Sequence, residues 1–447
     1  MTQLDDSTTI RHDPAPAEPA SSVRYVVLAF MGCLAFVLYL DRICIGQAVN
    51  SIRADLDLTR EEMGFVLMAF TVAYGLFEVP TGHWGDRYGS RGVLTRIVLW
   101  WSAFTALTGA ATGLTTLVVI RFLFGAGEAG AYPNTARVLA RWFPDHERGI
   151  AQGVVLTCAL VGGAVSPPLA AYLIELVGWR WTFVWFGSVG VVWAAAFYYW
   201  FRDAPAEHPA VNQAERLYIA RGTEPRSAGE EHRRVPWRLV LTSRNVWLLG
   251  TIQSCGAFAA YLFFSWYPTY MKEGRELGEI ASGFASSLPL VGGAIGTIGG
   301  GFFANWIVRH SRNRARAQRL YGCVVMLIAA VLMLASIHVD WPFGSALCTG
   351  AGCMCFLSQQ ATWWAVVTQI SGRHLGALFG LMNSMGVPGA MLSQYLPGAV
   401  ADWRESLGYA GRAQWDLIFY VYAAVLAIGA FCWLFLQPGK SAVEERE

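Results

Sequence analysis

Five ionisable side chains stand where the surrounding chain is apolar: Asp41 and Arg42 in LAFVLYLDRICIGQAV, Glu78 in LFEVP, and Arg121 and Glu128 in VVIRFLFGAGEAG. A guanidinium keeps its charge at any physiological pH and grips a carboxylate through two parallel N–H···O bonds. A carboxyl group beside it gains or loses a proton according to whether an anionic ligand is present. A fixed anion receptor next to a titratable acid is what coupling an anion to a proton requires. Arg121, Gly125 and Glu128 are spaced four and three residues apart and so share one helix face, with about 10 Å of rise between the two charges. That is too far for a direct pair, so Arg121 is read as an anion receptor and Glu128 as a group that changes protonation. The structural alternative is an ion pair between Arg121 and Asp41. Asp41 and Arg42 are about 100° apart around their helix. One can point toward a cavity while the other points toward the helix of Arg121 or its neighbours.

The elements that must position these groups follow from composition. The chain has 447 residues, 55% hydrophobic and only 14% charged, with a mean hydropathy of +0.39. Soluble domains carry roughly 25% charged residues. Apolar runs of about 20 residues recur throughout without barrel-type alternation, which predicts an all-α, polytopic membrane protein. Twelve spans are predicted, at 25–49, 63–82, 92–112, 115–137, 150–174, 180–201, 246–270, 281–306, 319–337, 343–368, 375–400 and 415–436. A charge at the bilayer centre costs ~3 kcal/mol or more unless it faces a cavity or a partner. The five intramembrane charges are therefore functional candidates.

The polar interval between spans six and seven divides the chain: a six-helix bundle over 25–201, a solvated linker over 202–245, and a second bundle over 246–436. Residues 1–24 and 437–447 are expected to be cytoplasmic tails, the first disordered and without the order of a signal peptide. With both termini cytoplasmic, inside segments hold 24 of the 33 Lys and Arg and outside loops hold 7, which is the positive-inside bias. Arg outnumbers Lys 31 to 2, which points to a GC-rich bacterial genome and hence an inner membrane. Nine cysteines fall inside spans and are read as small buried hydrophobes.

After the second span comes GHWGDRYGSR, with Gly82, Asp86, Arg87, Gly89 and Arg91; after the eighth comes GFFANWIVR, with Gly301 and Asn305 at the same separation. This internal repeat supports the six-plus-six division. The motif G-x-x-x-D-R-x-G-x-R, between helices two and three of twelve, resembles the major facilitator superfamily. YLDR at 39–42, FEVPTGHWGDR at 77–87, RFLFGAGEAGAYP at 121–133, RWFPDHERGIAQG at 141–153 and GALFGLMNSMG at 376–386 are similar to its anion:cation symporter branch. That branch includes bacterial sugar-acid and hexuronate transporters and the sialic acid and vesicular glutamate carriers.

The resemblance implies two pseudo-symmetric six-helix bundles around a central cavity with alternating access. It implies Arg42 and Arg121 as substrate-binding cations, Asp41 and Glu128 as proton-coupling acids, and Tyr74 as a substrate contact. It places Glu78, Gly82, Asp86, Arg87, Gly89 and Arg91 in a gating set that braces the two halves. In the second half the candidates are neutral. Tyr261, Gln359, Gln360 and Asn383 are taken as substrate-binding, because amides and aromatic faces suit hydroxyl groups and rings. Trp363 and Trp364 are read equally as packing residues. Where sugar-acid members often carry an amide in helix five, this chain has Ala159, which hints at a different or less polar anion.

The expected function is proton-coupled import of a small organic anion such as a sugar acid or other carboxylate, by a monomer in the lipid bilayer. Sodium is the alternative coupling ion. A drug:proton antiporter of the same fold is the second reading, against which stand the two intramembrane arginines and the lack of a G-x-x-x-G-P-x-x-G-G run. A membrane sensor or enzyme is the third. No H-e-x-x-H-type zinc motif, G-x-S-x-G or phosphate loop is present, so neither catalytic activity, cofactor, metal nor nucleic-acid partner is expected.

Overall fold

The computed structural model of the chain describes residues 19–221, 237–371 and 375–438; the side chains of 79, 82–88, 221 and 375–377 lie outside that description. Its helices in order are α1 (Val23–Leu56), α2 (Arg60–Tyr88), α3 (Ser90–Thr108), α4 (Leu114–Glu128), α5 (Ala131–Trp142), α6 (Asp145–Trp200), α7 (Gln213–Arg221), α8 (Trp237–Thr242) and α9 (Arg244–Ser265). They continue as α10 (Tyr267–Glu273), α11 (Glu279–His310), α12 (Arg314–His338), α13 (Pro342–Ser358), α14 (Gln360–Ser371), α15 (Leu375–Ser384), α16 (Val387–Ser406) and α17 (Arg412–Phe435).

Twelve crossings result because four spans are each built from two helices: α4–α5, α9–α10, α13–α14 and α15–α16. In the other direction, the 56 residues of α6 hold two crossings. Such a helix would run about 84 Å if straight, far more than a bilayer needs. Gly178, at φ 79°, reverses it between 145–177 and 179–200. The predicted spans are all present, and most helices overrun them. α1 continues to Leu56, where Asp57 closes it in the left-handed conformation. Thr59 then opens α2 with a reciprocal capping box to Glu62, which the sequence TREE specifies.

The first half packs α1 on α6, α2 on α4 and α3 on α6; the second packs α11 on α13 and α12 on α13 and α17. The halves meet through α6 against α11 and α2 against α16. Gly82 and Asp86 on α2, and Gly301 and Asn305 on α11, occupy the same place near the end of the second helix of each half. Exposed Leu176, Trp181, Trp185, Val192, Phe302 and Phe431 belong to an outer apolar surface suited to lipid. Cys33 is also exposed, whereas Cys44, Cys255, Cys323 and Cys353 are buried. The reading of all nine as buried hydrophobes therefore fails at Cys33 and holds only in part at Cys158, Cys348, Cys355 and Cys432, which are half-buried.

The segment after α6 departs from a solvated linker. Phe201, His208 and Val211 are buried against the first half, and α7 presents Glu215 to the start of α1. Glu215 accepts from the hydroxyl of Ser21 at 2.6 Å, the backbone N–H of Val23 and of Arg24 at 3.2 Å, and the Arg24 guanidinium at 3.1 Å. An acid at a helix N-terminus satisfies orphan N–H groups and meets the positive end of the dipole. The chain ahead of residue 25 is thus anchored through Ser21. Glu215→Ala leaves the Val23 and Arg24 backbone N–H groups buried and unpaired and the Arg24 guanidinium with Glu147 at 3.3 Å as its remaining carboxylate, and should cost about 3 kcal/mol, seen as a lower unfolding temperature in detergent with anion exchange retained.

Candidate functional site

The start of α1 and the end of α17 lie on one face of the bundle, since twelve crossings return the chain to its starting side. The opposite, far face is where the halves are tied together. Arg60, first residue of α2, donates Nε to Glu273 at 2.7 Å and Nη1 to Asp402 at 2.9 Å, and also pairs with Glu405. Arg53 reaches the same Glu273 at 2.7 Å. Gln47 donates to Glu279 at 2.7 Å and to Ser282 at 2.9 Å, while Lys272 holds Glu279 at 3.0 Å. Among the described residues, the inter-half hydrogen bonds and ion pairs all belong to this face.

Glycines let the helices touch there: a Cβ on Gly46 would lie 2.7 Å from the carbonyl oxygen of Phe264, and one on Gly283 would lie 2.8 Å from that of Pro167. Nearer the termini, α6 and α11 have parted, leaving a cavity of about 440 Å³ between Ile150, Val154 and Thr157 on one side and Thr297 and Ile298 on the other. Removing the hub of the far-face network with Arg60→Ala, or forcing bulk into the contact with Gly46→Val, should shift the balance toward opening of that face. For Arg60→Ala about 1–2 kcal/mol is at stake, a 5- to 30-fold change. It is read as the alkylation rate of Asn50→Cys in an otherwise cysteine-free chain.

The charged cluster sits past the midpoint of α1. Arg42 donates Nε to Glu128 Oε1 at 2.7 Å, and its Nη2 bonds the same oxygen. Glu128 Oε2 is buried without a hydrogen-bond partner. The sequence places Glu128 at the last residue of α4 for a local reason. Pro133 has no N–H to give and its ring clashes with the carbonyl four residues back, Ala129, so the helix breaks there and restarts as α5. A carboxylate at a helix C-terminus meets the negative end of the dipole, so its charge leans on Arg42. Three rings surround the guanidinium: Tyr74 at 4.8 Å, Phe70 at 5.2 Å and Tyr39 at 5.4 Å from their centroids. Tyr261 comes from the second half into electrostatic range of Arg42 and packs against the first half's core beside Tyr39 and Tyr74.

The 100° offset between Asp41 and Arg42 sends them to different places. Asp41 points into the first half, with Glu128, Trp101 and Arg121 as its polar neighbours, and neither of its carboxylate oxygens makes a hydrogen bond of good geometry. Arg121 is also buried; its guanidinium lies over Phe124 at 4.4 Å and Phe70 at 5.4 Å, and its Nε is unpartnered. The Arg121–Asp41 ion pair, the structural alternative to a functional role, is not formed, and the ion pair that does form joins Arg42 to Glu128.

A cavity of about 540 Å³ separates the halves, walled by α1, α6, α9, α11, α13 and α14. Tyr39 belongs both to that wall and to the surround of Arg42. The charges themselves are not on the wall, but the Arg42 side chain keeps 9% of its surface accessible where that of Glu128 keeps none. Arg42 is thus the member of the cluster that a ligand reaches first. Gln360 and Trp364 line the cavity, whereas Trp363 is core, its indole bonded to the Leu249 carbonyl at 3.0 Å. Gln359 is buried, and Asn383 accepts from Gln253 at 3.4 Å. Ala159 packs in the first half's core and does not line the cavity, so the hint drawn from it has no wall to act on.

In the gating set, the side chains of Gly82, Asp86 and Arg87 fall outside the described residues. The α2–α3 junction turns at Gly89, φ 77°. Arg91 is tied to its own half, donating its backbone N–H to Asp203 at 2.9 Å and Nε to the Tyr198 carbonyl at 2.8 Å. Glu78 is half-buried and in electrostatic range of Arg42, nearer the cluster than a purely gating role suggests. Sequence reasoning missed Tyr39, Phe70 and the far-face network. Tyr39 has no charge to mark it, and the network joins residues 213 to 345 positions apart, such as Arg60 with Glu273 and Glu405, whose pairing no local pattern signals.

The Major Facilitator Superfamily matches residues 31–394. The chain is 31% identical over 418 residues to the "Probable sulfoacetate transporter SauU" of Cupriavidus necator, covering 93% of this chain and 94% of that one. It is 28% identical to the "Probable galactarate/D-glucarate transporter GudP" of Bacillus subtilis, covering 97% and 96%. Among solved structures, a bacterial homolog of the human lysosomal transporter Spinster, in an inward-facing and occupied conformation, superposes with a TM-score of 0.74 at 17% identity over 94% of this chain and 97% of that one. The twelve crossings, the repeated half and these matches agree: the chain is a membrane transporter and belongs to the major facilitator superfamily.

Proposed function

We propose that the protein is a proton-coupled symporter that imports a small organic anion across a bacterial inner membrane, with both termini cytoplasmic. The observation that carries this reading is the Arg42–Glu128 pair beside the inter-half cavity, with one carboxylate oxygen left unpartnered. The relatives named for sulfoacetate and for galactarate and glucarate support an anionic substrate. With the termini cytoplasmic, the sealed far face is the external one and the arrangement is open inward.

An arriving carboxylate and Glu128 compete for one guanidinium. Protonation of Glu128 on the external side removes its charge and releases Arg42 to the anion; the halves then rock about the site. On the alkaline cytoplasmic side Glu128 loses its proton, reclaims Arg42 and expels the anion. Asp41 is the second proton site, and Arg121 the cation that compensates it. Two protons with a monoanion carry one net positive charge, so a potential of 100 mV adds ~2.3 kcal/mol to the ~1.4 kcal/mol per unit of pH gradient from each proton. Tyr74 and Tyr261 close over Arg42 from opposite halves, and Gln360 contributes from the cavity wall of the second half. The gating set engages when the external face opens.

Purified protein in proteoliposomes, given an acid exterior and a panel of labelled carboxylates and sulfonates, should accumulate an anion against its gradient. Accumulation should stop with a protonophore. Uptake that persists without a pH gradient but requires sodium would contradict the proton assignment.

A further inference from the structure

Resting on the anion-transport reading above, we propose that the substrate is an aromatic monocarboxylate, its carboxylate on Arg42 and its ring in the adjoining cavity. The cavity wall carries Tyr39, Phe263, Phe264, Phe356 and Trp364, drawn from both halves. Tyr39 and Phe264 meet edge to face at 6.3 Å across the divide. Aromatic groups stack on such walls in offset or edge-on geometry and gain beyond simple burial.

A polyhydroxylated acid needs the opposite lining, because every hydroxyl taken from water must find a new partner. The polar groups offered by the second half are mostly committed elsewhere. Asn383 is engaged by Gln253; the Tyr267 hydroxyl is bonded to Thr349 at 2.7 Å in the core; Gln359 is buried off the wall. Thr297 is on the wall but donates its hydroxyl to the Gly293 carbonyl at 2.9 Å. Gln360 remains, on the wall with no side-chain hydrogen bond among the described residues, and one free amide suits one ring hydroxyl.

Charge argues for a single carboxylate. Among the described residues no cation lines the cavity, and Arg121 is 2% exposed behind the first half's aromatic packing. A dianion would leave its second charge desolvated and unpaired. The inference therefore separates this chain from the dianions named for its relatives, sulfoacetate as well as galactarate and glucarate.

Counterflow of labelled 4-hydroxybenzoate into proteoliposomes, with benzoate, galactonate and galactarate as competitors, tests this. The expected result is half-inhibition by benzoate at a concentration at least tenfold below galactonate, and no competition by galactarate. Gln360→Ala should weaken 4-hydroxybenzoate about fivefold, the worth of one hydrogen bond, while leaving benzoate within twofold. Phe264→Ala should weaken both. Ligand-induced thermal stabilisation of the unmodified protein gives the same ranking without relying on a variant that folds. Galactonate or galactarate matching the aromatic acids overturns the substrate assignment and leaves anion transport intact. If none of these anions, nor sulfoacetate, exchanges or stabilises the protein, the anion-transport reading itself falls, and this inference with it.

Discussion

Glu128→Gln abolishes accumulation driven by a pH gradient while anion counterflow persists. The amide keeps the shape of the side chain but neither competes for Arg42 with a full charge nor carries a proton between faces. Counterflow needs only the loaded carrier to reorient, so it survives; concentrative uptake needs Glu128 to exchange Arg42 with the anion, and without that exchange the Asp41 proton is no longer tied to anion binding, so the internal-to-external ratio falls to one. Binding also loses its pH dependence. In the unmodified protein the anion displaces the Glu128 carboxylate, so affinity falls by up to tenfold per pH unit once Glu128 is ionised in the empty carrier. In the variant that slope is flat, and affinity at alkaline pH is higher than in the parent. Equilibrium binding across pH checks both statements.

Arg42→Ala weakens anion binding itself. The paired, charge-assisted contact to the anion is lost in a desolvated site, about 3–4 kcal/mol. That corresponds to a fall in affinity on the order of 100- to 1,000-fold. Arg42→Lys restores the charge but not the planar fork or its stacking on Tyr74, Phe70 and Tyr39, so it should recover only part of the affinity. The two substitutions thus divide the cluster: one breaks coupling with binding kept, the other breaks binding.

Much of this architecture was legible in the chain. Long apolar runs must become helices in lipid, so the twelve crossings followed from composition, and the second helix of each half carried a readable repeat. The charges were legible too, since only function or pairing justifies them at that depth. Which charges pair was not. Helical spacing placed Arg121 and Glu128 on one face but is silent about rotation between helices, and that rotation gives Glu128 to Arg42 and turns Arg121 onto Phe124. The breaks inside single spans, at Gly130 before Pro133 and at Trp266 before Pro268, carry proline signals that a hydropathy window averages away. The far-face network was invisible because Arg53, Arg60, Glu273, Asp402 and Glu405 acquire partners only when the halves close.

Proton counting on anion binding tests the competition for Arg42 most directly. Titration calorimetry of the solubilised protein in buffers of different ionisation enthalpy should show close to one proton taken up per anion bound at alkaline pH, and none in Glu128→Gln. Anion binding without proton uptake in the unmodified protein, or the same uptake in the variant, would contradict the exchange of Arg42 between Glu128 and the substrate.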